Sequence, residues 1–167
     1  NPKKDLIAKA IANGLEKVDY QQKGETVPLM VNLKDKLFAK LVFSKFKEGL
    51  GIVDTEYFVT AAAPMNRDVH RWFHAIGIDV TEIYGMTEDT GPATIGVPGN
   101  AVESFTKRLK ADSIEIPSVL NPIGKVGIPI PGTEVKVMED GELCIKGNHV
   151  AQGYYKSEDQ TKETFDS

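Results

Sequence analysis

Ile83-Tyr84-Gly85-Met86-Thr87-Glu88, reading IYGMTE, is the stretch on which the rest of the chain turns. Immediately before it, Ile78-Asp79-Val80-Thr81-Glu82 alternates apolar and polar positions and carries β-branched residues, which predicts a short strand. Gly85 then permits a sharp turn, and Thr87 and Glu88 emerge where the strand passes into a loop. An aromatic ring, a glycine, a hydroxyl and a carboxylate on one bend suit a nucleotide–metal site. The ring covers a base, the glycine admits phosphate to the backbone, and the oxygens hold Mg²⁺. The same spacing also describes a strand end with a buried Tyr and a solvated Glu. Spacing alone leaves both open.

Upstream, Glu56-Tyr57-Phe58-Val59-Thr60 reads as a second short strand, followed by Ala61-Ala62-Ala63-Pro64. Small residues at a strand end let a flat ligand lie against backbone, or let a helix pack closely on the strand. Asn66 is placed to cap a helix, Asp68 sits in its first turn, and Gly77 closes it. Val69, Trp72, Phe73 and Ile76 give that helix its apolar stripe. His70 and His74 lie four apart, a metal-ligand spacing. Arg71 stands where a zinc-protease helix carries Glu, so solvated or locally bonded histidines are expected. Strand, helix and strand from Glu56 to Tyr84 make a βαβ unit with parallel strands.

The first 50 residues read as helices. Leu6 to Val18 places Ile7, Ile11, Leu15 and Val18 on one stripe, interrupted by Gly14, and the polar run Asp19 to Thr26 ends it before Pro28. A second helix carries Leu37 with Leu41, and Phe38 with Val42 and Phe46, in i, i+4 rows, closing at Gly49-Leu50-Gly51. Beyond Glu88, Gly91-Pro92-Ala93-Thr94 reads as a loop. Gly99 to Ile123 reads as a surface excursion with a basic patch, Lys107-Arg108-Lys110. Val135-Lys136-Val137 and Glu142-Leu143-Cys144-Ile145-Lys146 alternate around Asp140-Gly141, a hairpin signal. The expected fold class is α/β, with a βαβ unit in a mixed sheet, flanking helices and then a small antiparallel β subdomain. Residues 1–52 form the helical segment, 53–120 the α/β half bearing the motif, and 121–167 the antiparallel subdomain.

The 167 residues are 41% hydrophobic and 26% charged, as in a globular domain, and the net charge of −4 does not point to nucleic acid. The charge is uneven, with 10 lysines against 6 acidic residues in the first 50, a net of +4 that leaves −8 on the remainder. Cys144 is the single cysteine, which excludes an internal disulfide and fits a reducing, cytoplasmic compartment. The sequence has no apolar run near 18 residues and no signal-peptide pattern. A start at Asn1 and a stop in the polar run Glu163 to Ser167 read as a piece of a longer protein.

The YGMTE stretch resembles the Y-G-x-T-E motif of the adenylate-forming acyl-CoA synthetase superfamily. Three further blocks resemble that family in order: Phe58 to Pro64, GKVGIPIPGTEVKV (Gly124 to Val137) and GELCIKGNHVAQGYYKSEDQTKE (Gly141 to Glu163). The resemblance runs from roughly Val27 to the end. Lys40-Leu41-Val42-Phe43-Ser44-Lys45 and Ala63-Pro64-Met65 look most similar to the long-chain fatty acid–CoA ligases. Ala61 and Ala62 stand where the family commonly has glycines, which bears on how closely a purine approaches.

The resemblance implies an AMP-forming ligase that activates a fatty acid with ATP as acyl-adenylate and transfers it to CoA. It implies a nucleotide site of Ala62, Ala63, Pro64, Ile83, Tyr84, Gly85, Met86 and Thr87, with Thr87 and Glu88 catalytic and Glu88 on Mg²⁺. Tyr84 would stack on adenine, and Met86 would face the acyl group. A fatty acid substrate together with the basic N-terminal helices also points to peripheral contact with a membrane surface. The family's phosphate-cradling loop, ribose-binding aspartate and lysine-bearing mobile domain find no match here. The expectation is therefore an inactive portion of the large N-terminal domain, whose partners include the rest of its parent. The alternative is a non-catalytic remnant that binds nucleotide or a partner.

Overall fold

In the computed structural model, which describes residues 1–111 and 117–165, the chain is built around a four-stranded mixed sheet. Its strands are β1 (Phe58–Thr60), β2 (Val80–Met86), β3 (Gly91–Ile95) and β4 (Ile128–Pro129), in that spatial order. β1 and β2 are parallel, joined by helix α4 (Arg67–Ala75), as the βαβ reading requires. β2–β3 and β3–β4 are antiparallel, which makes the sheet mixed.

Helix α1 (Pro2–Gln22) is longer than the sequence pattern predicts and runs through part of the polar stretch after Val18. Gly14 does not interrupt it. A Cβ there would fall on the Ala75 carbonyl, so the glycine is what lets α1 cross α4 backbone to backbone. The buried positions are accordingly Ala10, Asn13, Gly14 and Val18, while Ile7 faces outward. Arg71 of α4 grips Asp19 of α1 with both Nε (2.8 Å) and Nη2 (2.6 Å), fixing the crossing. That hydrogen bond holds the Asp19 carboxyl below its usual range.

The second predicted helix is three pieces, α2 (Leu29–Phe38), a π turn (Ala39–Phe43) and α3 (Ser44–Leu50), closed by Gly51 at φ 70°. The π turn inserts one residue, so the i, i+4 rows do not continue straight through it. Phe43 is buried and Phe38 and Val42 pack beside it, whereas Leu37 and Leu41 remain exposed. The core proper is Ala10, Phe43, Ile76, Ile78 and Val80, where α1, the π turn, α4 and β2 meet.

On α4 the Asn66 side chain caps as expected, accepting from the backbone of Asp68 (2.9 Å) and Val69 (3.2 Å). The buried stripe is rotated from the predicted one. Val69 is 45% exposed and His70 is fully buried. His70 and His74 each donate from Nε2 to the Val80 carbonyl, at 2.8 and 2.9 Å. Both are thus locally bonded. Burial of His74 depresses its pKa, and the Val80 bond and Asp79 oppose that only in part.

Past β3, a 3₁₀ turn (Gly99–Ala101) leads into helix α5 (Val102–Ala111), within the predicted excursion. Of the basic patch, Lys107 and Lys110 are exposed, and the Arg108 side chain lies outside the described residues. β5 (Thr133–Val137) and β6 (Leu143–Gly147) form the separate antiparallel pair. Its turn takes three residues, with Met138 N–H on the Glu142 carbonyl (2.8 Å) and Gly141 at φ 91°. That is the bulged hairpin, not the two-residue form. A short helix, α6 (Glu158–Thr164), ends the described chain. No helix among the described residues is long and apolar enough to cross a membrane.

Candidate functional site

Gly85 does not make a turn. β2 continues through it to Met86, and the chain reverses only at Thr87–Asp89, a single 3₁₀ turn. A Cβ at Gly85 would fall on the Gly91 carbonyl, so the glycine serves close approach of β2 to β3. Gly91 to Thr94 is accordingly strand and not loop. Gly85 pairs with Pro92 and Tyr84 with Thr94, leaving Ala93 as the bulged residue. A bulge is one of the few places where a sheet accommodates proline.

The floor and walls of one cavity, 280 Å³ in volume, come from three stretches of chain. Ala62, Ala63 and Pro64 supply one side, Ile83, Tyr84 and Gly85 of β2 a second, and Gly124 and Val126 a third. Six of the sequence-predicted residues therefore meet in space. Met86, Thr87 and Glu88 do not line this cavity and continue beyond it along β2 and the 3₁₀ turn. Ala62 holds φ 70°, the left-handed region that glycine takes freely. For alanine this stores roughly 1–2 kcal/mol of strain. The position demands a glycine-like backbone, and its methyl narrows the cavity.

Beneath the cavity, Glu82 is 4% exposed. Its Oε1 accepts from Met65 N–H at 2.9 Å and its Oε2 from Gly124 N–H at 3.1 Å. His70 Nδ1 lies 3.4 Å from the same Oε2. One carboxylate thus ties both flanking loops to β2. His70 Nδ1 makes no hydrogen bond at that distance, whereas its Nε2 is satisfied by the Val80 carbonyl.

At the far end of β2, Asp89 is buried and its Oδ1 accepts from Met86 N–H (3.0 Å) and Gly91 N–H (3.2 Å), closing the 3₁₀ turn. The turn presents Glu88, half-buried, to the segment after β6. Tyr154 Oη donates to Glu88 Oε1, and Ala151 N–H donates to the Glu88 carbonyl at 2.7 Å. The Tyr154 hydroxyl first, then the backbone N–H of Glu88 itself, hold the Glu88 carboxyl below the usual carboxylate range, while Glu88 pushes the Tyr154 phenol up.

A larger groove of 500 Å³ lies between α1, the π turn, α3 and α4. Leu6, Ile11, Leu41, Phe46 and Trp72 line it, with Lys3 and Lys45 at hand and no acidic or hydroxyl group. Of these two, only the smaller cavity brings hydroxyl and carboxylate groups together; a shallow depression of 680 Å³ beside the Arg71–Asp19 pair is lined by further charged groups, Lys23, Arg67, Asp68 and Lys125.

The AMP-binding enzyme family matches residues 9–155. The chain belongs to that family. Among curated relatives, the long-chain-fatty-acid–CoA ligase ACSBG2 of Xenopus laevis is 35% identical over 132 residues, covering 76% of this chain and 15% of that protein. Long-chain-fatty-acid–CoA ligase 5 of Mus musculus is 34% identical over 145 residues, covering 80% and 18% respectively. The chain thus spans less than a fifth of the length of these relatives. Among solved structures, the N-terminal domain of FACL13 from Mycobacterium tuberculosis is similar at 21% identity, with a TM-score of 0.48 over 75% of this chain and 31% of that one.

In this member of the AMP-binding enzyme family, the sequence assigns no site role to Glu82, Gly124 or Tyr154. Glu82 looked like an ordinary polar position of an alternating strand, and its partners lie 17 and 42 residues away. Gly124 opens the GKVG block and was already in view as motif. Its φ of 73° and its bond to Glu82 show what the glycine does there.

Proposed function

We propose that this chain forms the adenine-side wall of an AMP-forming acid–thiol ligase, whose substrates are ATP, CoA and a long-chain fatty acid. The observation that carries the reading is the meeting of Ala62, Ala63 and Pro64 with Tyr84 and Gly85 around one cavity. The cavity lies just below the common size range of small-molecule sites, roughly 300–1,000 Å³, which suits a planar base better than a whole nucleotide. Pro64 and the small Ala62–Ala63 pair offer backbone and a flat surface, and the Tyr84 ring offers a stacking face. The ribose and phosphates then extend along β2 toward Met86, Thr87 and Glu88, where Met86 is 40% exposed. Thr87 is the hydroxyl that contacts phosphate oxygens.

The family implies Mg²⁺, and Glu88 fits it. Tyr154 holds Oε1, no side chain among the described residues holds Oε2, and the carboxyl is kept ionised. No cluster of three acidic, His or Cys groups stands nearby among the described residues, so the cation would rest on Glu88 and the nucleotide's own phosphates. When bound, it neutralises charge on the phosphates during adenylate formation. The protein's contribution is to hold two anions, nucleotide and carboxylate, in one orientation.

Tyr84 tests the adenine assignment. Tyr84→Ala is expected to weaken AMP binding by about 1–3 kcal/mol, the scale of one lost base–aromatic stack. Tyr84→Phe keeps the face and is expected to bind nearly as wild type. Calorimetric AMP titrations on the three proteins, with thermal melts alongside, make the comparison. Unchanged AMP affinity in a folded Tyr84→Ala protein would remove adenine from this cavity.

A further inference from the structure

Glu88 sits on a turn beside solvent, yet both its backbone and its carboxylate are held from one distant segment. Ala151 N–H meets its carbonyl at 2.7 Å, the neighbouring Thr90 Oγ1 donates to the His149 carbonyl at 2.6 Å, and Tyr154 Oη meets Oε1. Tyr154 is itself fixed. Its N–H donates to Thr161 Oγ1 at 2.9 Å, and its ring meets Phe165 edge to face at 5.5 Å. Thr161 in turn donates to the Ser157 carbonyl at 2.8 Å. Gly153, at φ 141°, leaves room for the Thr161 side chain that a Cβ would strike. The phenol is thus aimed by a small built framework of its own.

We propose that Tyr154 is a positioning residue for Glu88: its hydroxyl pins Oε1 so that Oε2 faces a magnesium–polyphosphate ligand. The proposal rests on the reading of Glu88 as the cation ligand. A free glutamate on a turn samples many rotamers, and ordering it on binding opposes affinity. A hydrogen bond to one oxygen removes that freedom beforehand and leaves the other oxygen as acceptor. Partners of this kind, one bond removed from the cation, typically change metal affinity by 10–100-fold when lost. The contrasting role is a latch, in which the Tyr154–Glu88 bond merely fastens residues 149–165 to the sheet.

The two roles separate in a magnesium-dependent binding measurement on the chain. ATP is titrated with Mg²⁺ and with EDTA, and AMP with EDTA, for wild type, Tyr154→Phe and Glu88→Gln, with thermal melts. Phe preserves the ring packing on Phe165, so Tyr154→Phe is expected to keep its melting temperature and its AMP affinity within about twofold. Its magnesium-dependent gain in ATP affinity is expected to fall about tenfold or more. If Glu88→Gln loses that gain and Tyr154→Phe keeps it, positioning by Tyr154 is overturned while the cation reading stands. If Tyr154→Phe lowers AMP affinity and melting together, Tyr154 is a latch and the proposal is overturned. If wild type shows no magnesium-dependent gain, or Glu88→Gln keeps it, the cation reading fails and the proposal with it.

Discussion

Glu82→Ala is expected to destabilise the chain by about 3 kcal/mol and to weaken AMP binding with it. The substitution strands two backbone donors, Met65 N–H and Gly124 N–H, and empties the space beside His70. A buried donor left without a partner costs about 1–3 kcal/mol, and two are stranded here. Met65 and Gly124 are only partly buried, so water recovers some of that loss. Glu82→Gln retains one carbonyl acceptor but turns an NH₂ toward the other N–H, and is expected to lose about half as much. Urea titration of the three proteins reads the effect. A Glu82→Ala protein within about 0.5 kcal/mol of wild type would mean that the loops around the cavity do not depend on this carboxylate.

Gly85→Ala is expected to cost about 3 kcal/mol of stability and to abolish measurable AMP binding. The added methyl would land on the Gly91 carbonyl and close to the Pro92 backbone, neither of which moves without opening the β2–β3 pairing. Overpacking of side chains typically costs about 1–3 kcal/mol, and here the obstacle is the backbone of β3. The same shift carries Tyr84 and Gly85 away from Ala62 and Ala63, so the cavity loses a wall. Gly91→Ala serves as the comparison, since a Cβ there meets open space and only its φ of 145° is strained. Melting curves and AMP titration on both variants decide. Wild-type affinity in Gly85→Ala would show that the close approach is dispensable.

Much of the fold was legible because its signals are local. Asn66 before an apolar helix, three alanines after a strand, and alternation on either side of Asp140-Gly141 each report on residues a few positions away. Two readings failed where one residue type serves two purposes. Gly85 reads as a turn because turns and close backbone approach both select glycine, and that reading ends the strand at Tyr84, two residues early. Gly91-Pro92 reads as loop punctuation, whereas a bulge at Ala93 lets the proline sit within β3. The inward face of α4 was misplaced for a different reason. A buried histidine satisfied by the Val80 carbonyl has no hydrophobic signature, so Val69 took His70's place in the predicted stripe. The π turn at Ala39–Phe43 has no signature of composition at all.

The candidate site divides along the same line. The motifs single out Ala62 to Pro64 and Ile83 to Gly85 by type and neighbourhood, and these six meet around one cavity. Residues that act through distant partners are not singled out this way. Glu82 works through loops 17 and 42 residues away, and Tyr154 meets Glu88 across 66 residues. Only the folded chain brings such pairs together, and Glu82 is an unremarkable polar position of a strand until its donors are known.

The central claim is that adenine occupies the cavity between the Ala62–Pro64 loop and Tyr84–Gly85. Backbone amide NMR of the chain during AMP titration tests it most directly. Saturable shifts are expected at Ala62, Ala63, Tyr84, Gly85, Gly124 and Val126, with the apolar groove around Leu6, Leu41 and Trp72 unaffected. Saturable shifts confined to that groove, or no shifts at the six amides at millimolar AMP, would contradict it.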